Sequence, residues 1–328
     1  MEPLVSICCT AYNHEKYLAQ ALDSFLSQKC DFSFEILIHD DVSTDSTPDI
    51  IRRYAQQYPE IIRPMFQTEN QYSKGVPINE TFNFPRARGK YIALCEGDDY
   101  WCDETKLQRQ IAHMESDPGC TFCFSNGYVH DEAGVNPDRP FLPYYDSDRE
   151  LFHDESRPFT LGEMARVNFI PTASFVFRVD ALRSLPAAFT EKECQHGDLR
   201  MRLFLTAAGH AWYEHVYGCV YRENVSGSAM QIWKKEKRDQ LYRRCQSVVD
   251  MVADVDDYSG YTASGDLQKV KDHFLWVMAH NAPNLKTLMS GETGRIWRTL
   301  PLKERLRCAV RLMLPASLAA RLGKLASR

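Results

Sequence analysis

The first 130 residues alternate short apolar runs with helical patterns, and this alternation constrains the fold more than any other feature of the chain. Residues 4–10, 34–38, 61–66, 91–95 and 121–125 read as strands. Between them Leu18, Ala21, Leu22, Phe25 and Leu26 recur at the spacing of one helix face. Thr47 is expected to cap a helix over 49–58, with Pro48 at its first position. Leu107, Gln110, Ile111 and Met114 mark another helix, ending before Asp117-Pro118-Gly119. Strand–helix alternation of this kind predicts an α/β fold with a mainly parallel sheet and helices on both faces.

The chain changes character further on. Residues 131–160 are rich in Pro, Asp and aromatics, lack a period and read as a long surface excursion. A strand is expected over 168–178, a helix over 199–208 and one or two strands over 211–221. After Ser228 the pattern is helical and more charged, with segments at 231–255, 267–278, 302–314 and 317–325, the last two split by Pro315. This predicts a domain over 1–228, in two parts meeting at 130/131, and a helical extension over 229–328.

Composition narrows the class. With 328 residues, 44% apolar and 25% charged, the chain can bury a core and is not disordered, collagen-like or coiled-coil. No window holds about 18 uncharged apolar residues, so no spanning helix is expected. The apolar run at Leu4 has no basic region before it, so no secretory signal is expected either. The 11 cysteines are an odd number, and Cys8, Cys9, Cys95, Cys123 and Cys219 sit in apolar runs, which points to free thiols and a reducing cytosol. Cys120 and Cys123 form a C-x-x-C with no second pair, inside an expected strand, so they read as core.

The net charge of −5 hides an asymmetry. From Arg295 onwards nine Lys/Arg face one acid, Glu304, a net of +8, so the rest carries −13. This excludes a nucleic-acid binder as a whole and assigns the tail a local anionic partner. Trp297, Leu300, Leu302, Leu306, Val310, Leu312, Met313, Leu314 and Leu318 interleave there with basic residues. That pattern fits either a segment lying on an anionic membrane surface or a helix packed on the protein with a solvated basic face.

Three expected strands end in polar clusters: Thr10-Ala11-Tyr12-Asn13, His39-Asp40-Asp41 with Val42-Ser43-Thr44-Asp45, and Glu96-Gly97-Asp98-Asp99-Tyr100-Trp101. Open parallel sheets bind ligands beyond the carboxyl ends of their strands, so the clusters should converge. Each alone fits a turn, a solvated loop or a partly buried aromatic. Buried adjacent carboxylates repel each other unless a hard cation such as Mg²⁺ or Mn²⁺ offsets the charge. The chain lacks G-x-x-x-x-G-K-[ST] and lacks G-x-G-x-x-G after the first strand, so a phosphate ligand would be held through metal. Asp198, in Gln195-His196-Gly197-Asp198-Leu199, fits a helix N-cap or a general base. His196 reads as a surface or acceptor-side residue.

These segments together resemble glycosyltransferase family 2, the inverting enzymes with a GT-A (Rossmann-like) fold. The resemblance rests on Val5-Ser6-Ile7-Cys8-Cys9-Thr10-Ala11-Tyr12-Asn13, on Ile38-His39-Asp40-Asp41-Val42-Ser43-Thr44-Asp45, on Gly89-Lys90-Tyr91-Ile92-Ala93-Leu94-Cys95-Glu96-Gly97-Asp98-Asp99 and on His196-Gly197-Asp198-Leu199-Arg200. It covers roughly the first two-thirds of the chain. It implies that Thr10, Ala11, Tyr12, Asn13, Asp40, Asp41, Glu96 and Asp98 line a nucleotide-sugar donor. It implies that Asp99, with Asp98, binds Mg²⁺ or Mn²⁺, and that Asp198 deprotonates the acceptor hydroxyl. Two departures stand out: Gly197 replaces the acid usually before the base, and Tyr221-Arg222-Glu223-Asn224 stands where the family often carries Tyr-Arg-x-His. Asn224 could still offer an amide oxygen to the metal.

The resemblance implies transfer from a UDP-linked or other nucleotide-diphosphate sugar to a glycan or lipid-linked glycan, in bacterial surface-polysaccharide synthesis at the cytoplasmic face of the membrane. An inactive nucleotide-sugar-binding scaffold and a sugar nucleotidyltransferase are the alternatives.

Overall fold

The computed structural model describes residues 2–313 apart from 192–193, 229–230, 232 and 234–235. It divides into two compact units, Met1–Thr190 with Gly197–Ser226, and Glu191–His196 with Gly227–Arg328. The expected segment 317–325 and part of 231–255 lie outside the described residues.

The first unit is built on one mixed sheet. Its strands are β1 (Val5–Ala11), β2 (Phe34–Asp40), β3 (Ile62–Phe66), β4 (Tyr91–Leu94), β5 (Tyr100–Trp101), β6 (Cys120–Asp131), β7 (Arg139–Pro140), β8 (Arg157–Phe159), β9 (Val176–Arg178) and β10 (His210–Glu223). The main path runs β3-β2-β1-β4-β9-β6-β10-β5. β1, β2, β3 and β4 are mutually parallel, as are β6 and β10, while β9 enters antiparallel between β4 and β6. β1 and β2 are buried nearly throughout, the pattern of strands covered on both faces. α1 (Leu18–Leu26), α2 (Thr47–Gln57) and α3 (Lys106–Ser116) bury Leu22, Phe25, Ile51, Leu107, Ile111 and Met114 in the core that these strands form. Cys120 and Cys123 lie in that core, as expected.

One buried carboxylate ties the sheet's parallel half together. Glu35 accepts hydrogen bonds from Ser6 Oγ (2.8 Å), the Arg88 N–H (3.0 Å) and Arg88 Nε (2.8 Å), and pairs with Arg63 Nε at 3.2 Å. Burial pushes its carboxyl up, but the Arg88 and Ser6 bonds outweigh burial and hold it below its usual value.

Several expectations are corrected. Only Val176–Arg178 of the expected 168–178 strand is in the sheet, because Pro171 has no N–H for a ladder and residues Thr172–Ser174 form a 3₁₀ turn. Of the one or two strands expected over 211–221 the structure has one, with register shifts. β6 runs past Ser125 to Asp131 because β10 pairs with it throughout and Asn126 exchanges two bonds with the Leu142 backbone. Ser46 is the cap of α2, while the Thr47 hydroxyl accepts the His14 N–H at 2.8 Å. The 131–160 excursion contributes β7 and β8 and buries Phe141, Leu142, Asp148 and Leu151.

The second unit is helical. α4 (Gly197–Ala207) belongs to the first unit; the second contains α5 (Arg238–Tyr258), α6 (Ser264–His280), α7 (Gly291–Thr299) and α8 (Leu302–Met313). Cys245, Val249, Leu275, Met278 and Ile296 form one core cluster. α8 places Cys308 against Ala279, Ala282 and Leu288. His280 fastens α8 further: Nδ1 faces the Trp276 carbonyl at 2.9 Å and Nε2 faces Glu304 Oε2 at 3.0 Å. Cys308 is the largest cause of a rise in its pKa to about 9, burial opposes it, and the Trp276 and Glu304 acceptors add to it.

β6 and β10 approach each other closely at Gly127. A Cβ on Gly127 would stand 2.5 Å from the Cys219 carbonyl oxygen, a backbone atom. Gly127→Ala should therefore destabilise the protein by about 1–3 kcal/mol, the range of overpacking, in chemical denaturation. An unchanged midpoint would show that the two strands separate freely.

Candidate active site

The carboxyl ends of β1, β2 and β4 meet, as their polar endings lead one to expect. The Thr10 carbonyl accepts the Gly97 N–H at 2.9 Å, and the Ala11 carbonyl accepts the Asp41 N–H at 3.0 Å. Asn13, in the left-handed region at φ 57°, donates its N–H to Ser43 Oγ (2.9 Å) and accepts the Thr44 N–H on Oδ1 (2.7 Å). Asp45 accepts the Glu15 N–H at 3.0 Å, and Glu15 accepts the Ser46 N–H at 3.0 Å. The loops after β1 and β2 are thus stitched to each other, and Tyr12 stands 43% exposed at their edge.

The two aspartates after β2 have different surroundings. Asp41 is buried with both oxygens taken, by the Gln71 N–H at 2.8 Å and the Tyr72 N–H at 2.9 Å, and its carbonyl accepts Asn70 Nδ2 at 3.0 Å. It suspends the 70–72 loop over this end of the sheet. Asp40 is also buried; its Oδ2 accepts the Ser43 N–H at 3.3 Å, and its Oδ1 has no hydrogen-bond partner among the described residues.

The turn after β4 concentrates negative charge. Gly97 is tightly packed there: a Cβ would stand 3.0 Å from His14 Nδ1 and 3.1 Å from Leu18 Cδ1, so a larger residue makes those side chains give way. Asp99 is 3% exposed, and its Oδ1 accepts the Arg222 N–H at 2.9 Å. Burial, then Asp98 and Glu96, push its carboxyl well above the usual range. Glu96 is pushed up to about 7 by burial and by Asp98, with Asp198 close enough to add to the rise. Its Oε2 is buried without a hydrogen-bond partner among the described residues. Asp98 lies 3.8 Å from His14 Nε2. Asp198 stands in the first turn of α4, where its charge also opposes the burial that lowers Arg202 to about 10. The structure therefore brings Glu96, Asp98, Asp99 and Asp198 into one electrostatic neighbourhood. Asn224, at φ 63°, ends β10 and donates Nδ2 to Asp131 Oδ1 at 2.8 Å. His196 meets Arg244 at 2.6 Å in the helical unit.

Arg222 was not singled out from the sequence, yet it organises the acid turn. Besides its N–H on Asp99, its guanidinium donates to the Asp98 carbonyl and to Gln20 Oε1 (2.6 Å), and Nε pairs with Glu132 at 3.0 Å. The rings of Tyr17 and Tyr100 lie 4.9 and 4.7 Å from its carbon. It also lines a cavity of about 380 Å³ with Lys16, Tyr17, Gln20, Tyr100, His130 and Glu132. The available signal was a lone arginine in an aromatic strand, in a chain whose acids need donors. His14 was likewise passed over, though it faces Asp98.

Buried carboxylates without a full set of partners are hard oxygen ligands, and this set fits Mg²⁺ or Mn²⁺. Among the described residues no three His, Cys, Asp or Glu side chains form a ready metal cage.

The crowding has a measurable consequence. Folded Glu96 takes up its proton near pH 7, whereas its ordinary value is 4.5, so between these values only the folded state carries that proton. Stability therefore gains as pH falls from 8 towards 5. In metal-free protein, the melting temperature of the wild type should rise over this range relative to Glu96→Gln, and Asp99→Asn should melt above the wild type at pH 8. Parallel curves for wild type and Glu96→Gln in calorimetry would show that Glu96 is not so perturbed.

The family model described as Glycosyl transferase family 2 matches residues 6–182. An uncharacterised protein of Mycobacterium tuberculosis is 39% identical over 174 residues, which are 53% of this chain and 46% of that protein. The Escherichia coli UDP-Glc:alpha-D-GlcNAc-diphosphoundecaprenol beta-1,3-glucosyltransferase WfaP is 35% identical over 144 residues, 43% of this chain and 54% of its own. The chain thus spans about half the length of these curated relatives. Staphylococcus aureus TarS 1–349 in complex with UDP-GlcNAc shares the fold, with a TM-score of 0.58 at 16% identity over 93% of this chain and 78% of that one. The match covers more than half of the chain, spans β1, β2 and the acid turn after β4, and shows that the protein belongs to glycosyl transferase family 2.

Proposed function

We propose that the protein is an inverting glycosyltransferase that moves a sugar from a UDP-sugar to a glycan or lipid-linked glycan in surface-polysaccharide synthesis. The observation that carries this reading is the gathering of Glu96, Asp98 and Asp99 at the end of β4, with Asp198 near enough to raise Glu96. A relative whose name specifies UDP-Glc, and a fold neighbour solved with UDP-GlcNAc, support the choice of base.

In this reading the exposed Tyr12 ring and the Thr10–Asn13 backbone receive the nucleobase. Asp40 offers its unpartnered Oδ1 to the nucleoside, and Asp41 keeps the 70–72 loop in place beside it. Asp98 and Asp99 would hold the metal, and Asn224, which donates Nδ2 to Asp131, would have its Oδ1 to offer. When bound, the ion neutralises charge on the departing diphosphate. Asp198 accepts the proton of the acceptor hydroxyl as its oxygen bonds to the anomeric carbon. The bond to the diphosphate breaks on the opposite face, the nucleoside diphosphate leaves with the electron pair, and the anomeric configuration inverts.

Metal-dependent UDP binding and sugar transfer separate these roles. Asp99→Ala should lose Mn²⁺-dependent UDP binding in calorimetric titration. Asp198→Ala should keep that binding and lose transfer by roughly 10²–10⁴-fold, the usual worth of general acid–base catalysis, with radiolabelled UDP-sugar and a membrane-extracted acceptor fraction. Near-normal transfer by Asp198→Ala would remove it as the base. Nucleotide binding without any acceptor-dependent donor consumption would favour an inactive binding protein, and preference for GDP or dTDP would change the donor.

A further inference from the structure

α8 carries two parallel rows. Leu302, Leu306 and Val310 lie four residues apart and are 69%, 56% and 44% exposed. Lys303, Arg307 and Arg311 lie one position further on, also four apart. Residues at i, i+4 and i+8 share a helix face, so an aliphatic row runs beside a cationic one. The helix is not loose. Its other side sets Cys308 into a buried cluster, packs Leu312 against that cluster, lays Arg305 over the Trp297 ring at 4.7 Å and is pinned by the His280–Glu304 pair. The second unit therefore folds with three aliphatic side chains held in solvent, although Cys308 and Leu312 show that the same helix buries apolar residues where it can.

We infer that this face of α8 docks on an anionic lipid surface. Charge complementarity names the occupant. The described helix has four cations (Lys303, Arg305, Arg307 and Arg311) and one acid, Glu304, which is already engaged by His280 and Arg307. Residues 314–328 add Arg321, Lys324 and Arg328 and no acid. The exposed row has no aromatic side chain, whereas protein interfaces are enriched in them. Aliphatics beside cations match the boundary between acyl chains and anionic headgroups, which demands no complementary shape. The face binds whether or not the acceptor is lipid-linked.

The test is flotation of the full chain with phosphatidylcholine vesicles, with and without phosphatidylglycerol, at low and high salt. The wild type should float only with the anionic vesicles and lose binding in high salt. L306E/V310E should sink while keeping the wild-type melting temperature, since both residues are exposed. Replacing Lys303, Arg307 and Arg311 by Gln should weaken partition by roughly 100-fold, from about 1 kcal/mol per cation. Three results would overturn the inference: no flotation of the wild type, undiminished flotation of L306E/V310E, or a self-association that L306E/V310E abolishes in light scattering. The first points to an acidic protein partner, the second to the residues after Met313, and the third to a second copy of this chain.

Discussion

Like charge at the carboxyl end of β4 is the constraint on which the first unit's architecture depends. Asp99 is buried beside Asp98 and Glu96, and burial and repulsion together push its carboxyl well up. Such a turn persists only if backbone and side-chain donors are brought to it. Arg222 supplies its N–H to Asp99 and its guanidinium to the Asp98 carbonyl. For that, β10 must run fourteen residues and pair with β5 at Tyr100 and Trp101. Arg222 is in turn held by Glu132 from the end of β6 and by Gln20 and Tyr17 from the segment entering and forming α1. One crowded turn thus recruits three distant parts of the chain.

The loops around it are tied down by hydrogen bonds for a related reason. Their polar side chains are engaged by the backbone: Asn13 and Ser43 across two loops, Asp45 and Glu15 reciprocally, Asp41 on Gln71 and Tyr72. Among the described residues, Asp40 Oδ1 and Glu96 Oε2 are buried carboxylate oxygens without a hydrogen-bond partner at this end of the sheet, as are the Nδ1 atoms of His14 and His39. Spare buried acceptors on loops otherwise held by hydrogen bonds suit a cationic or donor-rich ligand. The helical unit shows a different arrangement, an inner face packed on a buried cluster and aliphatics left in water beside cations.

Much of this was legible in the sequence, because strand and helix periods and the motif spacings of the family are local properties. β1 to β4, α1 to α3 and the convergence of Thr10–Asn13, His39–Asp45 and Glu96–Asp99 follow from them. The failures share a cause. The 168–178 segment looks strand-like, but Pro171 and the sheet's available edges admit only three residues. Ser125-Asn126-Gly127 looks like a strand end, but a full-length partner and the Leu142 backbone satisfy it. The apolar residues of the basic tail looked equivalent, yet Trp297, Leu300 and Leu312 pack inward while Leu302, Leu306 and Val310 do not.

The sequence by itself determined the order of elements, the family and the placing of carboxylates at strand ends, because these depend on residues close together in the chain. Only the tertiary structure decided which acid is free and which is engaged. Asp40 and Asp41 are neighbours with the same side chain, and the 70–72 loop alone makes one a clamp and leaves the other with a spare oxygen. It also decided that Arg222, more than 120 residues from the acid turn, is its principal donor. Hydrogen bonds and burial act between groups near in space, and proximity in space across such separations is set by the sheet's long-range pairing rather than by any local pattern.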